Sequence, residues 1–126
     1  MEHTLHPKKL IIFVDDNVAN LKTGKNILST CYHVATAPSA EKLFCLLEKN
    51  TPDLILLDIE MPGMDGYEAI DALKKDAKTK HIPVIFVSGR THEDDQRKGL
   101  ALGAVDYITK PFSPKNVKHK IGKALG

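Results

Sequence analysis

The amino-acid sequence predicts an α/β fold: a doubly wound, five-stranded parallel sheet with helices on both faces. Three observations lead there. Short apolar runs alternate with amphipathic segments five times along the chain. The runs are continuously apolar and rich in branched side chains, which suits strands buried on both faces. At four of the five run ends a polar or charged residue follows at once, namely Asp15, Asp58, Ser88 and Lys110. Strands and helices in strict alternation imply a parallel sheet, and right-handed crossovers restrict its topology. Five strands suit the order 2-1-3-4-5.

Leu10 to Val14 forms the first run, followed by Val18, Leu21 and Leu28 at helical spacing. Tyr32 to Thr36 is a weaker second strand. Ser39, after Pro38, can cap the second helix with Glu41 in its first turn, and Ala40, Leu43, Phe44 and Leu47 make its apolar stripe. Leu54 to Leu57 is the third strand, and Tyr67, Ile70 and Leu73 mark the third helix. Pro83 opens the fourth run, Val84 to Val87, where a missing N–H is harmless. The segment Glu93 to Leu102 is a more polar helix stopped by Gly103. Val105 to Thr109 is the fifth strand. Ser113-Pro114 reads as an N-cap with proline at the first helical position, and Val117, Ile121 and Leu125 complete the last helix.

A chain of 126 residues fits one domain, 1–126, with 1–8 as a polar N-terminal tail. The formal net charge is +2, from 18 basic and 16 acidic residues, which is no electrostatic footprint for nucleic acid. No run approaches the ~18 apolar residues of a membrane span. Met1 to Lys9 lacks the apolar core of a signal peptide. A cytoplasmic location and no membrane partner are expected. Cys31 and Cys45 form no C-x-x-C pair, and the six histidines repeat no zinc spacing.

The chemistry gathers where the strands end. In open parallel sheets, sites form at the carboxyl ends of strands near the point where strand order reverses. Asp15, Asp16, Asp58, Ser88 and Lys110 would all converge on that edge. Two carboxylates about 4 Å apart repel by roughly 4 kcal/mol at an effective dielectric near 20. An acidic trio therefore protonates or binds a cation, and Mg²⁺ is suited to carboxylates, waters and phosphate oxygens together. Lys110 can hold a phosphate or pair with a carboxylate, and Ser88 offers a hydroxyl donor. Such a set makes a phosphoryl-transfer site, with a carboxylate nucleophile that gives an acyl phosphate.

The chain resembles the receiver domains of bacterial-type response regulators, with their flavodoxin-like sheet, from Lys8 to Ala124. The stretches that carry the resemblance are Phe13-Val14-Asp15-Asp16-Asn17, Leu57-Asp58-Ile59-Glu60-Met61-Pro62-Gly63-Met64-Asp65-Gly66, Val87-Ser88-Gly89, and Gly103-Ala104-Val105-Asp106-Tyr107-Ile108-Thr109-Lys110-Pro111-Phe112. Together they are specific; Lys-Pro-Phe alone would be weak. The resemblance implies that Asp58 accepts a phosphoryl group from a histidine kinase or histidine phosphotransfer protein. Asp16 would bind Mg²⁺ directly, Asp15 largely through water, and Asp58 and the backbone carbonyl of Glu60 would complete the set. Lys110, aimed by a cis bond to Pro111, would contact a phosphoryl oxygen. Ser88 would swing toward the phosphate, and Tyr107 would follow from an exposed to a buried rotamer. The face made by the fourth helix, fifth strand and fifth helix would then change shape, engage an output protein or domain, and support a dimer. Partner choice would reside on the first helix (Val18, Leu21, Lys22) and around Phe112.

Two departures from the family pattern stand out. Serine replaces the commoner threonine at position 88. Glu60 and Arg90 are expected to face each other across the mouth of the site and to tune access and phosphoryl lifetime. The chain would catalyse only its own phosphorylation and dephosphorylation. The alternatives are a phosphorylation-independent docking module, an aspartyl-nucleophile phosphatase and a flavin or nucleotide binder. The phosphatase wants Asp-x-Asp where this chain has Asp58-Ile59-Glu60. The binder wants a phosphate-cradling glycine loop where this chain has Asp15-Asp16-Asn17.

Overall fold

In the computed structural model, residues 8–89 and 93–126 are described, and Arg90 and residues 1–7 of the expected tail lie outside them. The strands are β1 (Leu10–Val14), β2 (His33–Ala37), β3 (Leu54–Asp58), β4 (Val84–Ser88) and β5 (Asp106–Thr109); the helices are α1 (Val18–Leu28), α2 (Ala40–Leu47), α3 (Gly66–Lys75), α4 (Glu93–Ala101) and α5 (Pro114–Leu125). All neighbouring strands pair in parallel, in the order β2-β1-β3-β4-β5. Winding therefore reverses between β1 and β3, and the crevice that this reversal opens is flanked by Asp15 and Asp58.

Two cores separate across the sheet because successive strand side chains point to opposite faces. Ile11, Phe13, Leu56, Val87 and Ile108 meet Leu21 and Leu28 of α1 and Val117 and Ile121 of α5. Ile12, Val14, Ile55, Leu57 and Phe86 meet Ala40 and Leu43 of α2 and Ala69, Ile70 and Leu73 of α3. The three central strands are buried along almost their whole length, which explains their uninterrupted apolar runs. At ~1.5–3 kcal/mol for each large apolar side chain fully buried, these strands form the rigid platform of the molecule.

The caps follow local chemistry. Ser39 accepts from Lys42 N and Ser113 from Asn116 N, as the sequence indicates. Asp65 and Glu68 make a reciprocal capping box at the start of α3, with the Asp-x-x-Glu spacing that such a box needs. Some edges shift. β2 runs one residue later than the apolar run, and Val105 precedes β5 and is 51% exposed. Val18 has helical spacing with Leu21 but is 69% exposed, because it sits in the first turn beyond the reach of the core. Leu21 is buried, so on α1 Val18 and Lys22 are available to a partner and Leu21 is not.

Two glycines set close approaches. A Cβ on Gly24 would fall 2.3 Å from the Phe13 ring, and one on Gly66 would fall 2.4 Å from the backbone oxygen of Asp58. The second contact is backbone and no rotamer can relieve it. We expect Gly66→Ala to lower unfolding free energy by about 1–3 kcal/mol. Gly122 in α5 has open space around its Cα, and Gly122→Ala should stabilise by about 0.5–1 kcal/mol. Urea titrations of both variants measure the contrast.

Candidate functional site

The site is built at the carboxyl edge of the sheet. β1 ends at Val14 and delivers Asp15 and Asp16; β3 ends on Asp58; β4 ends on Ser88; β5 ends at Thr109 and delivers Lys110. Asp15 and Ser88 are fully buried and Asp58 is 3% exposed, whereas Asp16 is exposed. Each of the three aspartates brings an oxygen within 4.8 Å of the others. Lys110 reaches back past the end of β4, and its Nζ lies 2.7 Å from Asp15 Oδ2 and 3.3 Å from Asp58 Oδ1. The Lys110–Pro111 peptide bond is cis. Lys110 N also donates to the Ser88 carbonyl at 2.8 Å, which ties the ends of β4 and β5 together.

Asp15 is the most firmly held carboxylate. Besides Lys110, it accepts from Asn17 N at 2.9 Å and from Asn20 Nδ2 at 3.2 Å. Asn17 meanwhile caps α1 through its own side chain, accepting from Asn20 N. The sequence reading missed Asn20, since an amide five residues beyond an aspartate has no distinctive spacing.

Asp58 stands in a different electrostatic position. Burial, and next the charge of Asp15, push its carboxyl up to about 6, while Lys110 pulls the other way. Burial pulls Lys110 down, but its hydrogen bond to Asp15 and the charges of Asp58 and Asp15 outweigh it and leave the ammonium above its usual value. The cluster is thus two positive charges short of balance: one lysine faces three carboxylates. Oxygen donors from three carboxylates, one of them exposed, fit a hard divalent cation that keeps several waters.

Glu60 is exposed just past β3, in a loop closed by Gly66 N donating to the Ile59 carbonyl at 2.8 Å. The expected pairing with Arg90 lies outside the described residues. Tyr107 is 5% exposed, so of the two rotamers expected from sequence the structure holds the buried one. Its carbonyl accepts from Lys120 Nζ at 2.6 Å. Phe112 packs edge-on against Phe13, with ring centroids 5.4 Å apart, which seats the loop after Lys110 on β1.

Comparisons with known proteins agree with this arrangement. The profile of the response regulator receiver domain matches residues 11–122. The chain is 40% identical over 111 residues to a probable cyclic di-GMP phosphodiesterase of Vibrio cholerae, covering 88% of this chain and 25% of that protein. It is 36% identical over 118 residues to the phosphate regulon transcriptional regulatory protein PhoB of Pseudomonas aeruginosa, covering 93% and 52%. A putative response regulator from Chloroflexus aurantiacus superposes with a TM-score of 0.89 at 27% identity, covering 95% of this chain and 98% of that one. The chain thus spans about a quarter of one of these two curated relatives and about half of the other.

The raised value of Asp58 has a stability consequence. Folded Asp58 titrates near 6, above the unfolded carboxylate near 4. The folded chain therefore binds more protons between these values, and ionised Asp58 costs stability at neutral pH. That cost is relieved as pH falls through the folded value and is gone below the unfolded one. In metal-free buffer, Asp58→Asn should stabilise by up to about 3 kcal/mol at pH 7.5 and by little at pH 4. Paired denaturant titrations at the two pH values check the difference.

Proposed function

From the chain's membership of the response regulator receiver domain family, we propose that Asp58 is the phosphoryl acceptor of a two-component phosphorelay and that residues 1–126 work as one receiver unit. The observation that carries this reading is the convergence of Asp15, Asp16 and Asp58 within 4.8 Å, with the Lys110 ammonium against two of them.

One oxygen of Asp58 attacks the phosphorus of a phosphohistidine on a kinase or histidine phosphotransfer protein. The O–P bond forms as the P–N bond breaks, and the electron pair returns to the imidazole nitrogen, which takes up a proton. Asp15, Asp16, Asp58 and the Glu60 backbone carbonyl would hold Mg²⁺, which when bound offsets the carboxylate charges and those of the phosphoryl oxygens. Lys110 donates to a phosphoryl oxygen and Ser88 supplies a hydroxyl to another. A phosphoryl group adds about −1.5 to −2 charges, and these groups are the donors within reach to answer it. Tyr107, behind Ser88 and in β5, links that response to the face formed by α4, β5 and α5.

That face would engage an output protein or domain and is the surface for any dimer; the receiver itself turns over no separate metabolite and binds no nucleic acid. Glu60, with Arg90, would tune access and phosphoryl lifetime. A cytoplasmic setting suits a partner that is a histidine kinase, and among the described residues no helix is long and apolar enough to cross a membrane.

Incubation with acetyl phosphate and Mg²⁺, followed by intact mass, is expected to add one phosphoryl group to the wild type. The addition should vanish with EDTA and in Asp58→Asn. An unmodified wild type under all conditions would favour a docking module that works without phosphorylation. Lys110→Ala should slow the reaction on the order of 100-fold, the scale of losing one donor to developing charge, while leaving the circular dichroism spectrum intact.

A further inference from the structure

α4 has little hydrophobic anchorage of its own. Its sequence is mostly polar, and Gly99 is its one buried residue. Leu100, its largest apolar side chain, is 48% exposed. A helix that buries so little apolar surface gains little from the hydrophobic effect, so its seat must come from its neighbours.

Among the described residues, the neighbours supply much of it around Gly99. Gly99 lies on the Phe86 ring so closely that a Cβ would fall 2.6 Å from Phe86 Cδ2. Tyr67, from the first turn of α3, packs against the same ring with centroids 5.6 Å apart and planes at 71°. The Lys98 ammonium lies 4.2 Å above the Tyr67 ring centre, a cation–π contact that gains strength as water is excluded. The Tyr67 hydroxyl donates weakly to Asp95, at 3.5 Å to its carbonyl and 3.4 Å to its carboxylate. Asp95, Lys98 and Gly99 stand at i, i+3 and i+4, on one face of α4. A single tyrosine thus meets that face through its ring and its hydroxyl, and braces the phenylalanine on which the helix rests.

The contacts continue beneath the helix. Phe86 pairs in register with Tyr107, and both belong to the same core. Phe86 also lies two residues before Ser88 and on the same face of β4. An aromatic row, Tyr67–Phe86–Tyr107, therefore runs from the first turn of α3 to β5.

We infer that Tyr67 is a latch, a positioning residue that seats α4 on the sheet and so sets how readily the α4 face responds to phosphorylation. The second half rests on Asp58 as the acceptor; the first does not. Hydrogen–deuterium exchange of the full chain, with Tyr67→Leu, Tyr67→Phe and Lys98→Gln, tests the seating directly. The two conservative variants leave the core filled. Tyr67→Leu should raise exchange across residues 93–102 by about tenfold, with smaller rises in the other two and none in β1 or β3, as expected of a local opening. Titration with beryllofluoride and Mg²⁺ tests the coupling: by linkage, a latch that biases α4 must shift the Kd, here by about threefold or more in Tyr67→Leu. Unchanged exchange in 93–102, a rise shared equally by β1 and β3, or a Kd within about twofold of wild type would each overturn the latch as stated. Failure of beryllofluoride to bind the wild type would instead remove Asp58 as acceptor, and the exchange data would then decide the seating of α4 alone.

Discussion

Three carboxylates held against one another at the edge where the sheet reverses its winding are the constraint around which this chain is organised. They repel, and the fold holds them together anyway, because β1 and β3 are paired along their length and buried on both faces. Lys110 supplies the compensating charge from the far side of β4. The result is asymmetric. Asp15 is held by several partners, Asp16 faces water, and Asp58 is buried with a longer contact to the lysine than Asp15 has. Of the three, Asp58 is the one whose charge is least satisfied, and so the one with most to gain from added cations and donors.

The remainder of the molecule divides by rigidity. α1 and α5 bury regular apolar stripes on one face of the sheet, and α2 and α3 do so on the other. α4 departs from this pattern: it lies on the sheet through a glycine and contacts lent by α3. Ser88 ends β4 at the edge that carries the acidic cluster, and Tyr107 lies in β5, the strand that α4 contacts. A local change of charge thus has a nearby element whose position depends on few interactions, which is the arrangement a two-state response needs.

Much of this was legible in the sequence because the signals were redundant. The central strands announce themselves by continuous apolar runs, and Asp15, Asp58, Ser88 and Lys110 all occupy the first positions at or after a strand end. Ser39 and Ser113 cap where their neighbours say they should. What could not be read is what depends on side-chain direction. Val18 has the spacing of a core residue, yet the start of α1 overhangs the sheet. Asn20 and Tyr67 carry no motif; their contacts to Asp15 and to α4 exist only once helices and loops are placed in space. Asp15 and Asp16 are adjacent and chemically identical in the sequence, and only the fold makes one a buried anchor and the other a solvent-facing oxygen donor.

The contact between Gly66 and the backbone of Asp58 gives the molecule a stator. With the start of α3 pressed on the Asp58 carbonyl and hydrogen-bonded to Ile59, α3 and the loop before it cannot slide relative to the acidic cluster. Under the proposed phosphorylation, a new charge at Asp58 would act against this fixed frame, and displacement would fall to the less anchored α4.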